Sequence, residues 1–118
     1  LYNQFLKNLK TNFMGIFSNI FGGGNATNET LAKVIEEGAF LVDVRGPGEF
    51  AGGSAKGAVN IPLDTLSQHL NKFKGKKEIV VFCRSGNRSS SAKSILEQNG
   101  FKNVINGGTW QNVASLQK

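Results

Sequence analysis

The only cysteine of the chain, Cys83, lies in the run VFCRSGNRSS, residues 81–90, between a stretch of β-formers and a stretch of serines. A strand that ends in C-R-S-G-N-R and passes straight into a helix brings consecutive backbone N–H groups near the sulfur, at the positive end of the helix dipole. That setting favours an anion. It also lowers a thiol's pKa, because the thiolate is the form it stabilises and is also the nucleophile. Gly86 can take the positive φ that a tight cradle requires, Arg84 and Arg88 add charge that persists at every pH near neutrality, and Ser85, Ser89 and Ser90 offer hydroxyl donors or a helix cap. Free cysteine is otherwise a common buried hydrophobe. A core cysteine, however, has no use for two arginines, a glycine and three serines within eight positions.

The elements around this loop are set by a regular alternation that begins at Asn25. Thr27 or Asn28 can cap a helix running through Glu37, with Leu31, Val34 and Ile35 on one side and Gly38 at its end. AFLVDV, residues 39–44, suits a buried strand, GPGEF a turn, and AVNIP a short strand stopped by Pro62. Leu63, Leu66 and Leu70 align on a predicted helix, and EIVVF, residues 78–82, is the clearest strand. SSSAKSILEQNG predicts a helix ended by Gly100, NVIN a last short strand, and GGTWQNVASLQ a closing helix. Strands alternating with helices imply parallel pairing, hence an α/β fold. In open α/β sheets ligands bind beyond the carboxyl ends of the strands, and Cys83 directly follows EIVVF.

The 118 residues suffice for one core, so one active region is expected. No apolar stretch approaches the roughly 18 residues of a membrane span. Fourteen basic against eight acidic residues, a formal charge of +6, would suit a small anion, a nucleic acid or an acidic protein surface. Lys72, Lys74, Lys76 and Lys77 crowd one segment that reads as a solvated loop. A nucleic-acid face would interleave aromatics with these charges, and beyond Phe73 there are none, so no nucleic-acid partner is expected. One cysteine and one histidine exclude an intrachain disulfide and structural zinc. The count fits a cytoplasmic, reducing setting, with export to the periplasm as the alternative. Residues 1–24 form a separate unit in the sequence: Leu1, Phe5, Leu9, Phe13 and Phe17 make the stripe of an amphipathic helix, followed by the flexible joint Gly22–Gly24. Docking on the domain or on a second copy is its expected role, ahead of a membrane-surface helix or a secretory signal. Residues 25–118 make up the α/β domain.

Four stretches, LVDVRGPGEF, GAVNIPL, CRSGNRS and NGGTW, together resemble a single-domain rhodanese, a thiosulfate sulfurtransferase, over residues 27–118. The resemblance implies a small, mainly parallel sheet of about five strands flanked by helices. It also implies that Cys83 accepts the outer sulfur of thiosulfate or a related anionic donor, becomes a persulfide, and passes that sulfur to cyanide or a thiol, with no metal or other cofactor. The main-chain N–H groups of Arg84, Ser85, Gly86, Asn87 and Arg88, with Ser89, would then hold thiolate and persulfide as preorganised donors hold an oxyanion. The Arg84 and Arg88 side chains would recruit the donor. Arg45 and Glu49, four apart, would form a structural ion pair near the site, and Asp43 would accept hydrogen bonds that position the neighbouring loop. Trp110, after Gly107 and Gly108, would pack behind the site, and His69 would lie on the surface. One departure stands out: at GGSAKGA, Ser54, Ala55 and Lys56 occupy the places of His, Ile and Pro in the usual G-H-I-P-G-A.

Phosphatases of similar fold use a larger C-x5-R loop. Here position 89 is Ser and Arg88 gives C-x4-R, which resembles the sulfurtransferase type. The alternative to an enzyme is a sulfur-relay module that receives a persulfide from a protein partner and hands it on. A redox-sensing thiol would exploit the same lowered pKa, but the chain has no second cysteine to resolve it.

Overall fold

A computed structural model describes residues 27–118, and the amphipathic stretch of residues 1–24 lies outside the described residues. The order of elements is α1 (Asn28–Glu36), β1 (Phe40–Asp43), α2 (Pro47–Ala51), β2 (Val59–Asn60), two 3₁₀ helices (Leu63–Gln68 and Leu70–Phe73), β3 (Ile79–Cys83), α3 (Asn87–Gln98), β4 (Val104–Thr109) and α4 (Trp110–Ser115).

The strands form one parallel sheet in the order β2-β1-β3-β4. Four strands among the described residues stand against the expectation of about five, and they are the four segments whose own residues carry a strand pattern. Successive connections leave β1 in opposite directions, so the order reverses between β1 and β3. That is the point at which open α/β sheets bind ligands, and it is flanked by Asp43 and Cys83.

Alternation along β3 divides the core. Ile79, Val81 and Cys83 face one side with Val42, Leu66, Phe73, Ala92, Leu96 and Val104, under α3 and the 3₁₀ helices. Val80 and Phe82 face the other side with Leu31, Val34, Leu41, Ile105 and Val113, under α1 and α4. Fully burying side chains of this size contributes about 1.5–3 kcal/mol each relative to exposure. Phe73, wholly covered, adds edge-on ring contacts to Phe40 and Phe101 at 5.6 and 6.0 Å.

Local chemistry explains the boundaries. Thr27 caps α1 by accepting the Thr30 N–H at 3.2 Å. At the other end, the amides of Gly38 and Ala39 donate to the carbonyls of Ile35 and Val34, with Gly38 at φ +93°, which closes the helix as a Schellman motif. GPGEF, expected as a turn, is instead the short helix α2. Pro47 sits at its start, and Glu49 reaches back to accept the Gly46 N–H at 3.1 Å, a helix-start signal. The helix expected at Leu63–Leu70 is instead the pair of 3₁₀ helices, broken at His69. Its apolar residues recur at intervals of three, Leu63 with Leu66 and Leu70 with Phe73, which matches three residues per turn.

Candidate active site

Strand β3 delivers Cys83 to the carboxyl end of the sheet, where Arg84, Ser85 and Gly86 turn the chain into α3. Gly86 takes φ +96° as the residue that caps α3, and its missing side chain leaves the helix without a side-chain cap. The sulfur fills that role. Cys83 Sγ accepts the Gly86 N–H at 3.0 Å and the Ser89 N–H at 3.4 Å, and the second of these is one of the first-turn donors a helix cannot satisfy internally. The Ser89 hydroxyl lies 3.4 Å from the sulfur. Cys83 itself is wholly buried. Burial raises its pKa, but the hydrogen bonds from the Ser89 hydroxyl and from the amides of Ser89, Ser85 and Gly86 together outweigh it, and the thiol is held below its ordinary value. The sulfur is thus covered and still placed as an anion.

The arginines divide. Arg88 grips Glu49 with both arms, Nη1 to Oε1 at 2.7 Å and Nη2 to Oε2 at 3.0 Å. The pair ties α3 to α2 and, first through the Arg88 hydrogen bond and then through the Gly46 N–H, brings the Glu49 pKa down to about 2. Arg84 is exposed and, among the described residues, makes no ion pair. Ser85 and Asn87 are exposed beside it. The charge of Arg88, expected to recruit the donor, is shared with the Glu49 carboxylate.

The expected Arg45–Glu49 pair is not formed. Arg45 turns back onto Asp43, with Nε 3.0 Å from each carboxylate oxygen and Nη2 2.7 Å from Oδ2. The four-residue rule holds only within one continuous helix; Arg45 precedes Gly46 and Pro47, outside α2. Asp43, fully buried, also accepts the Arg45 N–H at 2.9 Å and the Ser54 hydroxyl at 2.7 Å. Arg45 further donates to the Gly53 carbonyl and lies 5.2 Å over the Trp110 ring. The departure at GGSAKGA is thereby absorbed: Ser54 bonds Asp43, Ala55 is buried, and the Lys56 backbone exchanges two hydrogen bonds with the Gln117 side chain. His69 is half-buried, and the lysine-rich segment precedes β3, at the sheet end opposite Cys83.

A cleft of about 420 Å³ opens beside the nucleophile loop, lined by Ser85, Asn28, Leu31, Asn106, Gly107, Gly108, Thr109 and Asn112, with no ionisable side chain. A larger groove of about 830 Å³ lies between α1 and the C-terminal residues and includes no residue of the loop, so volume alone does not mark the site. Asn106 was not singled out in the sequence, yet its side chain bonds Ser89, Gly86 and Gly108. The available signal was a polar residue in an apolar strand, directly before paired glycines that mark a bulge. Among the described residues no cluster of His, Cys, Asp and Glu could hold a metal.

Residues 27–110 match the family of the rhodanese-like domain. The uncharacterized protein YqhL of Bacillus subtilis is 41% identical over 68 residues, 58% of this chain and 54% of that one. The thiosulfate sulfurtransferase PspE of Escherichia coli is 32% identical over 75 residues, 62% of this chain and 72% of that one. The putative sulfur carrier protein YrkF of Bacillus subtilis is 35% identical over 71 residues, 60% of this chain and 38% of that one. The chain thus spans about half of the first of these relatives and well under half of the last. Among solved structures, the reduced Bacillus anthracis CoADR-RHD superposes with a TM-score of 0.66 at 32% identity, covering 78% of this chain and 16% of that one. A rhodanese with anions from E. coli superposes with a TM-score of 0.59 at 31% identity, covering 64% and 92%. With a parallel sheet, a lone cysteine at the carboxyl end of β3 and an amide-lined loop behind it, the chain belongs to the rhodanese-like family of sulfurtransferases.

Proposed function

We propose that Cys83 carries sulfane sulfur. Its thiolate attacks the outer sulfur of thiosulfate or a related donor, the donor's S–S bond breaks, and sulfite leaves with the electron pair. The resulting persulfide then gives its outer sulfur to cyanide or a thiolate, and the Cys83 thiolate departs as leaving group. Neither half-reaction needs a general acid, because sulfite and the thiolate are stable anions. The observation that carries this reading is the convergence of the Gly86 and Ser89 amides on one sulfur: donors fixed before the reaction stabilise charge without reorganising. Arg84, exposed at the mouth of the loop, is the cation that meets an anionic donor.

Because the sulfur is fully covered, each half-reaction requires a local opening of the loop. That requirement, with Arg88 already paired, supports a second reading, in which a protein partner opens the loop, loads the sulfur and receives it. The sulfur-carrier name of one relative accords with this. Intact mass after incubation with thiosulfate tests the intermediate without assuming an acceptor. Wild type gains the mass of one sulfur atom and Cys83→Ser gains none. A wild type that gains sulfur but forms no thiocyanate from cyanide favours the relay, and a gain retained in Cys83→Ser removes Cys83 as the carrier.

A further inference from the structure

Resting on the reading of Cys83 as sulfur carrier, we propose that Asn106 is a positioning residue of that site: one carboxamide bonds both the Ser89 hydroxyl, which faces the sulfur, and the carbonyl of Gly86, the residue whose N–H holds the sulfur. Asn106 Oδ1 accepts the Ser89 hydroxyl at 2.7 Å and the Gly108 N–H at 2.9 Å, and Nδ2 donates to the Gly86 carbonyl at 3.3 Å. A carbonyl oxygen has two lone pairs, and both are used. Asn106 touches no sulfur itself and acts only through its two partners.

The backbone is arranged to place it there. Val104 faces the α3 side of the sheet, and Asn106, two residues on, shares that face. Val81 pairs with Asn106 while Phe82 pairs with Gly108, so Gly107 is the extra residue of a bulge. A Cβ at Gly107 would sit 2.9 Å from both Val113 and Val80 side chains, so only glycine fits. The bulge aims the Gly108 N–H at Asn106 and lets the strand end beside the loop.

The Ser89 hydroxyl has one proton. At 2.7 Å from Asn106 Oδ1 and 3.4 Å from the sulfur, it faces Asn106 while the sulfur is a thiol whose S–H can donate to Ser89 Oγ. When the sulfur ionises it can only accept. The hydroxyl then turns to it, and Oδ1 keeps the Gly108 N–H, so nothing buried is left unpaired. Without Asn106 the hydroxyl loses the acceptor that competes for its one proton at 2.7 Å, while the Gly86 carbonyl, 3.1 Å from it, still holds the Ser90 N–H at 3.0 Å, so the hydroxyl is freer to donate to the ionised sulfur. The charged groups around the loop, Arg84 and Arg88 on the loop and α3, Glu49 on α2, and Asp43 and Arg45 at the end of β1, are unchanged by such a variant.

The test is the pH profile of Cys83 alkylation by iodoacetamide, with no sulfur donor present. In Asn106→Ala the profile moves to lower pH and the rate at a fixed pH below the wild-type midpoint rises by up to about tenfold, the scale of one hydrogen bond to a charged group. Ser89→Ala, which removes the hydroxyl donor itself, moves the profile to higher pH, and adding Asn106→Ala to it changes little, because Asn106 acts through that hydroxyl. A wild-type profile in Asn106→Ala, or single effects that multiply in the double variant, overturns the proposal. If Asn106→Ala does not melt cooperatively, Asn106→Thr, which suits a strand but cannot span both partners, carries the same expectation. Sulfur loading is read separately by mass. A wild type that takes up no sulfur refutes the carrier reading and leaves the coupling between Asn106 and Ser89 measurable, whereas normal loading with an unshifted Asn106→Ala profile refutes this inference alone.

Discussion

Two adjacent parallel strands end in an anion-forming side chain, and the two ends are built in opposite ways. At the end of β1, Asp43 is fully buried with its charge met inside the molecule by Arg45 and its lone pairs filled by the Arg45 amide and the Ser54 hydroxyl. At the end of β3, Cys83 is equally buried but is held by neutral amides and a hydroxyl, with no cation in hydrogen-bond contact. The first end is closed: an approaching anion finds no positive charge without a partner. The second has donors that favour a negative sulfur and no counter-charge that would quench its nucleophilicity. Position at the sheet's carboxyl edge is shared, so the composition of the surrounding shell decides which end can react.

The contrast breaks most visibly in stability. Asp43→Ala leaves Arg45 buried without its carboxylate and should cost about 3–5 kcal/mol, read from urea denaturation. Cys83→Ser, which keeps a hydrogen-bonding atom among the same donors, should cost on the order of 1 kcal/mol. Equal costs would mean that the cysteine end is as structural as the aspartate end.

A smaller effect sharpens the role of the exposed rim. Glu49, held at about 2 against an ordinary 4.5, favours the folded state above pH 4.5, and that contribution is lost as pH falls toward 2. Glu49→Gln should therefore remove part of the acid sensitivity in that window. The amplitude is small and shrinks with salt, because both side chains of the Glu49–Arg88 pair are more than a third exposed. Unchanged acid unfolding in the variant would show that the pair is not a clamp between α2 and α3.

What could be read beforehand follows from distance along the chain. The nucleophile loop is contiguous: strand, cysteine, glycine and helix start all lie within ten residues, and local rules for dipoles, caps and positive φ apply directly. The partner of Arg45 was not legible, because it depends on the chain folding back at the end of β1, and residue spacing carries no sign of that. The engagement of Arg88 by Glu49 joins two helices 39 positions apart, and nothing in the C-x4-R spacing indicates it. Asn106 escaped for the same reason. Its meaning depends on a one-residue bulge that brings β4 against the loop, and NGGTW alone shows a turn-like glycine pair without its partner in space. The 3₁₀ helices show a subtler gap, since leucines three or four apart suit an α-helix equally well until packing selects the tighter winding.

The central claim is that backbone amides and one hydroxyl hold the Cys83 sulfur as an anion, and titration of that thiol in the reduced protein, followed by thiolate absorbance, tests it most directly. The midpoint should lie below that of free cysteine, about 8.5, so the thiolate persists down to that lower pH and is lost only beneath it. A midpoint at or above the free-cysteine value would mean that burial outweighs the donors, and the assignment of Cys83 as a ready nucleophile would fail with it.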